Sequence, residues 1–436
     1  MSWLDQYKEK RTDAHSALKA IKPGYQVFLN ANCGEPATLV EALEESAANL
    51  DNVKIVQLLA MGDSAYVREE LARNLRYNAL FIGPAVRKAV NAGLADYTPV
   101  FLSEIPALFK NGLLPIDVAL IQVSPPDEHG FCSFGISVDI GKPAAESAKI
   151  VIAEVNQQMP RTLGDCFIHA SKLTYIVETD RPIRELPPVP FTEVHERIGA
   201  FCAELIEDGS TLQLGIGAIP NAVLAALKDH RRIGVHTEMF SDGVMDAFQN
   251  GVITNEEKSL HPGKLISSFI MGSRKLYDFV DNNPCVEMHP SDYTNDPFII
   301  AQNNKMVAVN SAISVDLTGQ VNADSIGMRL YSGIGGQVDY IRGAARAEGG
   351  KAIIAMPSMA RDNSRIVPTL AAGAGVVTSR GDVHYMVTEY GVAYLHGKSI
   401  RERCKELIRI AHPESREDLA KFARDNHYVG AYELRD

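Results

Sequence analysis

Short apolar runs alternate with stretches of helical period along most of the chain. The strand candidates are Val53–Ala60, Ala79–Ile82, Val118–Val123, Ile150–Glu154 and Leu173–Val177 in the first half. The second half adds Thr211–Leu214, Ile233–Thr237, Met306–Val309, Lys351–Ala355 and Tyr385–Thr388. Most of these runs are apolar on both faces rather than alternating, the mark of parallel sheets covered by helices. Helical patterns fall at Pro36–Leu50, Ala65–Tyr77, Glu193–Glu207, Pro220–Lys228 and Ser399–Ile410. The fold class these elements predict is α/β.

One segment interrupts the alternation. RPIRELPPVP, Arg181–Pro190, holds four prolines in ten residues. Proline fixes its own backbone and removes a hydrogen-bond donor, so this stretch reads as a stiff linker. Thr192 can cap the helix that follows. The expected domains are therefore 1–185 and 191–436. A weak internal repeat relates them. A strand leads to CGEPATLVEAL (Cys33–Leu43) in the first half and to IGAIPNAVLAAL (Ile216–Leu227) in the second. With Pro36 set against Pro220, apolar or small residues coincide at Leu39/Val223, Val40/Leu224, Ala42/Ala226 and Leu43/Leu227. The next strand ends near a methionine in each half, in LLAMGD and in HTEMFSDG. Ala60 precedes the first methionine and Glu238 the second.

The length of 436 residues exceeds what one core usually serves, in keeping with two domains. A net charge of −11 argues against binding nucleic acid or an anionic membrane surface. It leaves a phosphorylated ligand open, because helix N-termini hold phosphate without net positive charge. The six cysteines form no CxxC pair, so neither a disulfide framework nor a zinc cluster is expected, and a reducing cytoplasm fits best. The polar start MSWLDQYKEKR carries no secretory signal, and no apolar run approaches membrane-spanning length.

Four segments carry candidate chemistry. In GIGAIPNAV, Gly215–Val223, glycines after a strand let the backbone approach a ligand, and Pro220 opens a helix whose free N–H groups suit an anion. A tight strand–helix connection is the plainer reading, and Pro220 departs from the dinucleotide fingerprint. In HTEMFSDG, Glu238 follows an apolar strand. A carboxylate is ionised at pH 7 and needs no neighbouring base to act as a nucleophile; a strand-end glutamate paired with Arg or Lys is the alternative. No GxSxG elbow or HExxH metal helix is present, and GVAYLHGKS has one residue too many for a P-loop. In SGIGGQVDYIRGA, Ser332–Ala344, consecutive glycines can aim N–H groups at an oxyanion, with Asp339 and Arg342 bracing the loop, or form a simple turn. In VTEYGVAYLHGKSIRER, Val387–Arg403, a strand ends at Glu389, which can contact substrate or serve as a structural ion-pair partner.

Together these segments resemble the family I CoA transferases, in their acetyl-CoA hydrolase/transferase branch. VSPPDEHGFCSFG (Val123–Gly135), MPRTLGDCFIH (Met159–His169), VNSAISVDLTGQVNAD (Val309–Asp324) and the closing TEYGVA add to it, and the resemblance spans nearly the whole chain. It implies two tandem related α/β domains with mainly parallel sheets and the active site between them. Glu238 would be the nucleophile that passes through an acyl-glutamyl anhydride and a glutamyl-CoA thioester. Gly215, Ile216, Gly217, Ala218 and Ile219 would be the CoA-binding turn. Gly336 would donate its N–H to the thioester oxyanion, and Asn310 would orient or stabilise that site with its amide. Glu389 would be a second active-site glutamate. The implied substrates are an acyl-CoA and a short-chain carboxylate, 4-hydroxybutyrate first, then butyrate, propionate or acetate. No metal and no tightly bound cofactor is expected, and the implied assembly is a homodimer or homotetramer. The rival readings are a short-chain acyl-CoA hydrolase using the same glutamate, a non-catalytic sensor of a sugar phosphate or acyl-CoA, and an NAD-dependent dehydrogenase.

Overall fold

A computed structural model describes residues 2–62 and 64–434. Met1, Asp63 (the end of LLAMGD) and residues 435–436 lie outside the described residues. The chain forms two compact units. Unit 1 takes Met1–Pro187, Leu265–Thr294 and Tyr331–Gly335; unit 2 takes Pro188–Lys264, Asn295–Leu330 and Gly336–Asp436.

Unit 1 is built on seven strands: β1 (Gln26–Leu29), β2 (Val53–Gln57), β3 (Leu75–Ala79), β4 (Asp96–Tyr97), β5 (Val118–Val123), β6 (Ile150–Asn156) and β7 (Tyr175–Thr179). Their order is β7-β6-β5-β1-β2-β3-β4, and every neighbouring pair is parallel. All six residues of β5 are buried, as its unbroken apolar run requires for a strand covered on both faces. Helix α1 (Ala37–Ser46) follows β1 and buries Leu39, Val40, Ala42 and Leu43.

Unit 2 repeats the plan with β8 (Thr211–Leu214), β9 (Gly234–Val235), β10 (Met306–Ser311), β11 (Lys351–Ala355), β12 (Tyr385–Thr388) and β13 (Gly391–Tyr394). The order is β9-β8-β10-β11-β12-β13, parallel throughout except for the final hairpin. Its helices include α2 (Glu193–Glu204), α3 (Ala218–Ala226), α4 (Gln337–Arg346) and α5 (Ile400–Arg409). Thr192 caps α2 in a capping box with His195, and Ser399 caps α5 with Glu402. The order β2-β1-β5-β6-β7 in unit 1 matches β9-β8-β10-β11-β12 in unit 2, so the weak sequence repeat corresponds to a repeated fold.

Four expectations change. Ala65–Tyr77 is not a helix: it contains two single-turn 3₁₀ segments, Ala65–Val67 and Glu69–Leu71, and the start of β3. Leu75, Tyr77 and Ala79 are buried and alternate with less buried neighbours, so the period of two prevails over good helix formers that offer no apolar stripe. Pro220 stands third in α3 rather than opening it, since the helix begins at Ala218. The linker is also not free of the body before it. Leu186 donates its N–H to Gly272 O, and the Tyr277 hydroxyl donates to Arg184 O, both within unit 1. The segment 265–294, expected in the second domain, belongs to unit 1, where its strands Leu265–Ser267 and Val286–Met288 pair with each other and Val286–Met288 pairs in turn with Leu163–Gly164.

Candidate active site

In unit 2 the chain leaves β8 for β9 on one side and later returns to β10 on the other. Such a switch of direction opens a crevice at the carboxyl ends of the two strands, where open α/β sheets bind ligands. The Gly215–Ile219 turn stands at that edge, directly after β8. Gly217 has φ +118°, a conformation that glycine alone takes readily. A side-chain carbon placed on Gly215 or Gly217 would meet no atom within 4 Å, so the backbone here faces open space. Ile216 is exposed, Ala218 is partly buried, and Ile219 is packed beneath the first turn of α3. The first-turn N–H groups of a helix lack intrahelical acceptors and attract anions. On the other side of the crevice Asn310 donates Nδ2–H to Gln213 Oε1 at 2.9 Å, tying the end of β10 to the end of β8.

Glu238 lies three residues beyond β9 and is partly buried. Its Oε2 accepts a hydrogen bond from Asn295 Nδ2 at 2.8 Å. Gly336 completes the contact from the N-cap of α4. A side-chain carbon on Gly336 would lie 1.9 Å from Glu238 Oε2 and 2.1 Å from Asn295 Nδ2. Its φ of −97° suits any residue, so glycine is demanded here by close approach alone. The carboxylate therefore rests against the amino end of a ten-residue helix, whose dipole favours a negative charge. Tyr340, one turn along α4, is fully buried; burial first, then the charges of Glu238 and Asp339, hold its hydroxyl far above the usual tyrosine range. The rings of His236 and Tyr340 stand 6.4 Å apart.

Glu389 occupies the turn between β12 and β13. Its Oε2 accepts from the Ser358 N–H at 2.8 Å and its Oε1 from the Ser358 hydroxyl at 2.6 Å. Both oxygens are thus engaged by a residue just beyond β11. Asp339 and Arg342 are not part of a bracing loop. They lie within α4, where Asp339 is buried and Arg342 pairs with Asp382 at 3.3 Å. Of the residues singled out in the sequence, the structure brings Glu238 and Gly336 into direct contact. Asn310 and Glu389 sit at carboxyl ends of the same sheet but are held by Gln213 and Ser358. Asn295, Gln213 and Ser358 were not singled out in the sequence: Asn295 and Ser358 are single polar residues outside any glycine turn, and Gln213 is the one polar amide within the apolar strand that leads to the Gly215 turn.

The N-terminal domain model of the acetyl-CoA hydrolase/transferases matches residues 1–187, and the C-terminal domain model matches residues 272–423. The chain is 55% identical over 421 residues to 4-hydroxybutyrate coenzyme A transferase of Clostridium kluyveri, covering 96% of this chain and 98% of that one. The chain belongs to the acetyl-CoA hydrolase/transferase family. A second member, the succinyl-CoA:acetate/propanoyl-CoA:succinate CoA transferase of Fasciola hepatica, is 51% identical over 93% of this chain and 86% of its own. The crystal structure of 4-hydroxybutyrate CoA-transferase from Porphyromonas gingivalis superposes with a TM-score of 0.85 at 42% identity, over 98% of this chain and all of that one. The family's N-terminal model ends at Pro187, where the first segment of unit 1 ends. Its C-terminal model begins at Gly272, inside the segment that unit 1 takes back. Among the described residues no helix is long and apolar enough to cross a membrane, and all six cysteines are unpaired.

Proposed function

We propose that this protein is a CoA transferase that moves CoA from an acyl-CoA to a short-chain carboxylate, 4-hydroxybutyrate foremost, with Glu238 as the covalent carrier. The observation that carries the reading is the Glu238 carboxylate, seated against Asn295 and the glycine-capped start of α4, in a chain of this family. Glu238 needs no proton acceptor, since the carboxylate is already the nucleophilic form. One carboxylate oxygen attacks the thioester carbon, the C–S bond breaks, and CoA leaves as thiolate with the bonding pair, giving a mixed anhydride. The thiolate then attacks Glu238 Cδ, the bond from Cδ to the bridging oxygen breaks, and the first acid departs carrying that oxygen. A glutamyl-CoA thioester remains, and the second acid runs the two steps in reverse. The thioester's free energy is kept throughout, so the scheme uses neither ATP nor metal, and it requires water to be excluded from the activated glutamyl group.

On this reading the Gly215–Ile219 turn takes the CoA phosphates, the Gly336 N–H meets the oxyanion, Asn310 contributes its amide, and Glu389 supports the site through Ser358. The protein works in the cytoplasm as a homodimer or homotetramer. Relatives of comparable identity bear names with different acids, so the acid is assigned by assay. Purified protein with acetyl-CoA and a panel of 4-hydroxybutyrate, butyrate, propionate, acetate and succinate is expected to transfer fastest to 4-hydroxybutyrate. Glu238→Ala is expected to abolish transfer, and acyl-CoA followed by borohydride is expected to modify Glu238. Label on Asp242 or Glu389 instead would move the nucleophile. Free thiol released without any acceptor acid, at the rate of transfer, would make the protein a hydrolase.

A further inference from the structure

Two side-chain amides meet at the carboxyl ends of β8 and β10, and the family resemblance marks only one of them. We infer that Gln213 is a positioning residue that holds the Asn310 amide in place for acyl transfer. The inference rests on the reading of Glu238 as the covalent carrier and of Asn310 as an amide that serves it. Gln213 is the third residue of β8, whose four residues are all buried. A strand flanked on both sides, here by β9 and β10, is filled by apolar side chains where packing alone decides. A primary amide is costly there unless a hydrogen bond employs it. Gln213 is only 4% exposed, and its Oε1 accepts a hydrogen bond from Asn310 Nδ2 at 2.9 Å. Unit 1 shows that the fold itself does not ask for this amide. With Pro36 set against Pro220, Gln213 falls opposite Leu29 on β1. Leu29 is fully buried and pairs with Leu120 of β5, as Gln213 pairs with Ala308 of β10. The same place in the same sheet plan takes a leucine in unit 1 and a glutamine in the unit that carries Glu238.

Register sets the pair on the face that α4 covers. Side chains paired across parallel strands share a face, and so do residues two apart along one strand. Gln213, Ala308 and Asn310 therefore lie on one face of the sheet. Ala308 is packed in a single apolar cluster with Tyr340 and Ile341 of α4. That helix starts directly after Gly336, the glycine that approaches Glu238. Asn310 is only partly buried, and the terminal torsion of an asparagine is soft. The Gln213 bond therefore sets the amide where packing does not. It turns the Asn310 nitrogen toward β8 and fixes the plane of the amide before substrate arrives. A polar group ordered in advance needs no reorganisation at the moment of reaction, whereas a displacement of about 1 Å can lose about 100-fold in rate.

Gln213→Leu copies the unit 1 residue and removes the acceptor. Gln213→Met does the same with a more flexible chain, so that a poor fit of leucine does not decide the result. Both are made in the full chain, alone and combined with Asn310→Ala, beside Glu238→Ala, with thermal melting as the check on folding. Each Gln213 variant is expected to lose about 10- to 100-fold in kcat. KM for acyl-CoA is expected to stay within about threefold of wild type, the pattern of an interaction lost only in the transition state. Asn310→Ala is expected to lose about 100-fold or more. The combined variant is expected to turn over within about threefold of Asn310→Ala alone, because a residue acting through Asn310 then has nothing left to position. A merely structural glutamine would instead cost the same factor in both backgrounds. Losses that multiply in the combined variant, wild-type turnover in a folded Gln213 variant, or wild-type turnover in Asn310→Ala would each overturn the inference while transfer still depends on Glu238. Transfer that survives Glu238→Ala would overturn the function reading and this inference together.

Discussion

Asp139 is fully buried in unit 1, and burial raises its carboxyl to about 6. The N–H groups of Ile140 and Gly141 and the side chains of Asn32 and Ser137 oppose that rise without cancelling it. Because the folded state holds the proton more tightly than the unfolded chain, this group contributes its full stability below pH ~4 and loses it as pH climbs through about 6. A rise of roughly two pH units corresponds to about 3 kcal/mol at 1.36 kcal/mol per unit. Asp139→Asn, which keeps an acceptor for the Asn32 amide (2.9 Å in the wild type), should flatten this part of the profile. Urea unfolding at pH 4.5 and pH 7 checks it: the stability difference between the two pH values should shift by about 2 kcal/mol relative to wild type. Equal profiles would show that Asp139 does not titrate in this range. Single residues also mark how far the sequence could be read. Glu238 and the Gly215–Ile219 turn stood out as candidates because each directly follows an apolar strand in the chain. Asn295 did not, since its partner is 57 residues away and an asparagine before Asp-Pro reads as an ordinary turn.

The elements show why two copies of one plan are not chemically equal. In unit 1 the amino end of α1 is already occupied. Glu154, from β6, accepts from the N–H groups of Thr38 at 2.8 Å and Leu39 at 3.2 Å and from the Thr38 and Thr179 hydroxyls. An internal carboxylate thus stands where a helix N-terminus otherwise draws an anion. In unit 2 the corresponding strand β11 reads Lys351–Ala355, with no acid, and α3 is preceded by glycines facing open space. Glu154→Gln turns an amide N–H₂ or a single carbonyl oxygen toward four donors. It should cost about 1–3 kcal/mol in urea unfolding without affecting the KM for acyl-CoA. A neutral result would show that water replaces the lost carboxylate oxygen. The strands themselves were largely readable: β5, β8, β11 and β12 begin and end where their apolar runs do. The final hairpin partner β13 was missed because GVAY is short and follows its neighbour through a two-residue turn. It closes the sheet as an edge, where Arg409 covers the Val392 carbonyl at 2.7 Å, a usual defence of exposed strands.

For the whole molecule, the doubled sheet order was foreshadowed by the repeat around Pro36 and Pro220, but the path of the chain between units was not. A proline-rich stretch suggests a cut, and residue 187 ends one compact segment. Yet unit 1 is completed by residues 265–294. Those residues bring Leu265, Ile266, Ile270, Leu276, Val280, Val286 and Met288, all buried. They also accept the Val138 and Asp139 N–H bonds at Ser268 O, and join Asn282 to Arg161. No periodicity announces this, because the pairing strands are two or three residues long and Leu163–Gly164, the partner of Val286–Met288 in the first half, lies more than a hundred residues away. At roughly 1.5–3 kcal/mol for each large apolar side chain buried, these seven account for roughly 10–20 kcal/mol. A domain's net stability is only about 5–15 kcal/mol. A fragment ending at Pro187 should therefore lack a cooperative thermal transition and bind a dye that reports exposed apolar surface, although it contains the entire seven-stranded sheet. A sharp melting transition and a dispersed amide spectrum from residues 1–187 would mean that the sheet and its own helices suffice, and that the returning segment only decorates a core already complete.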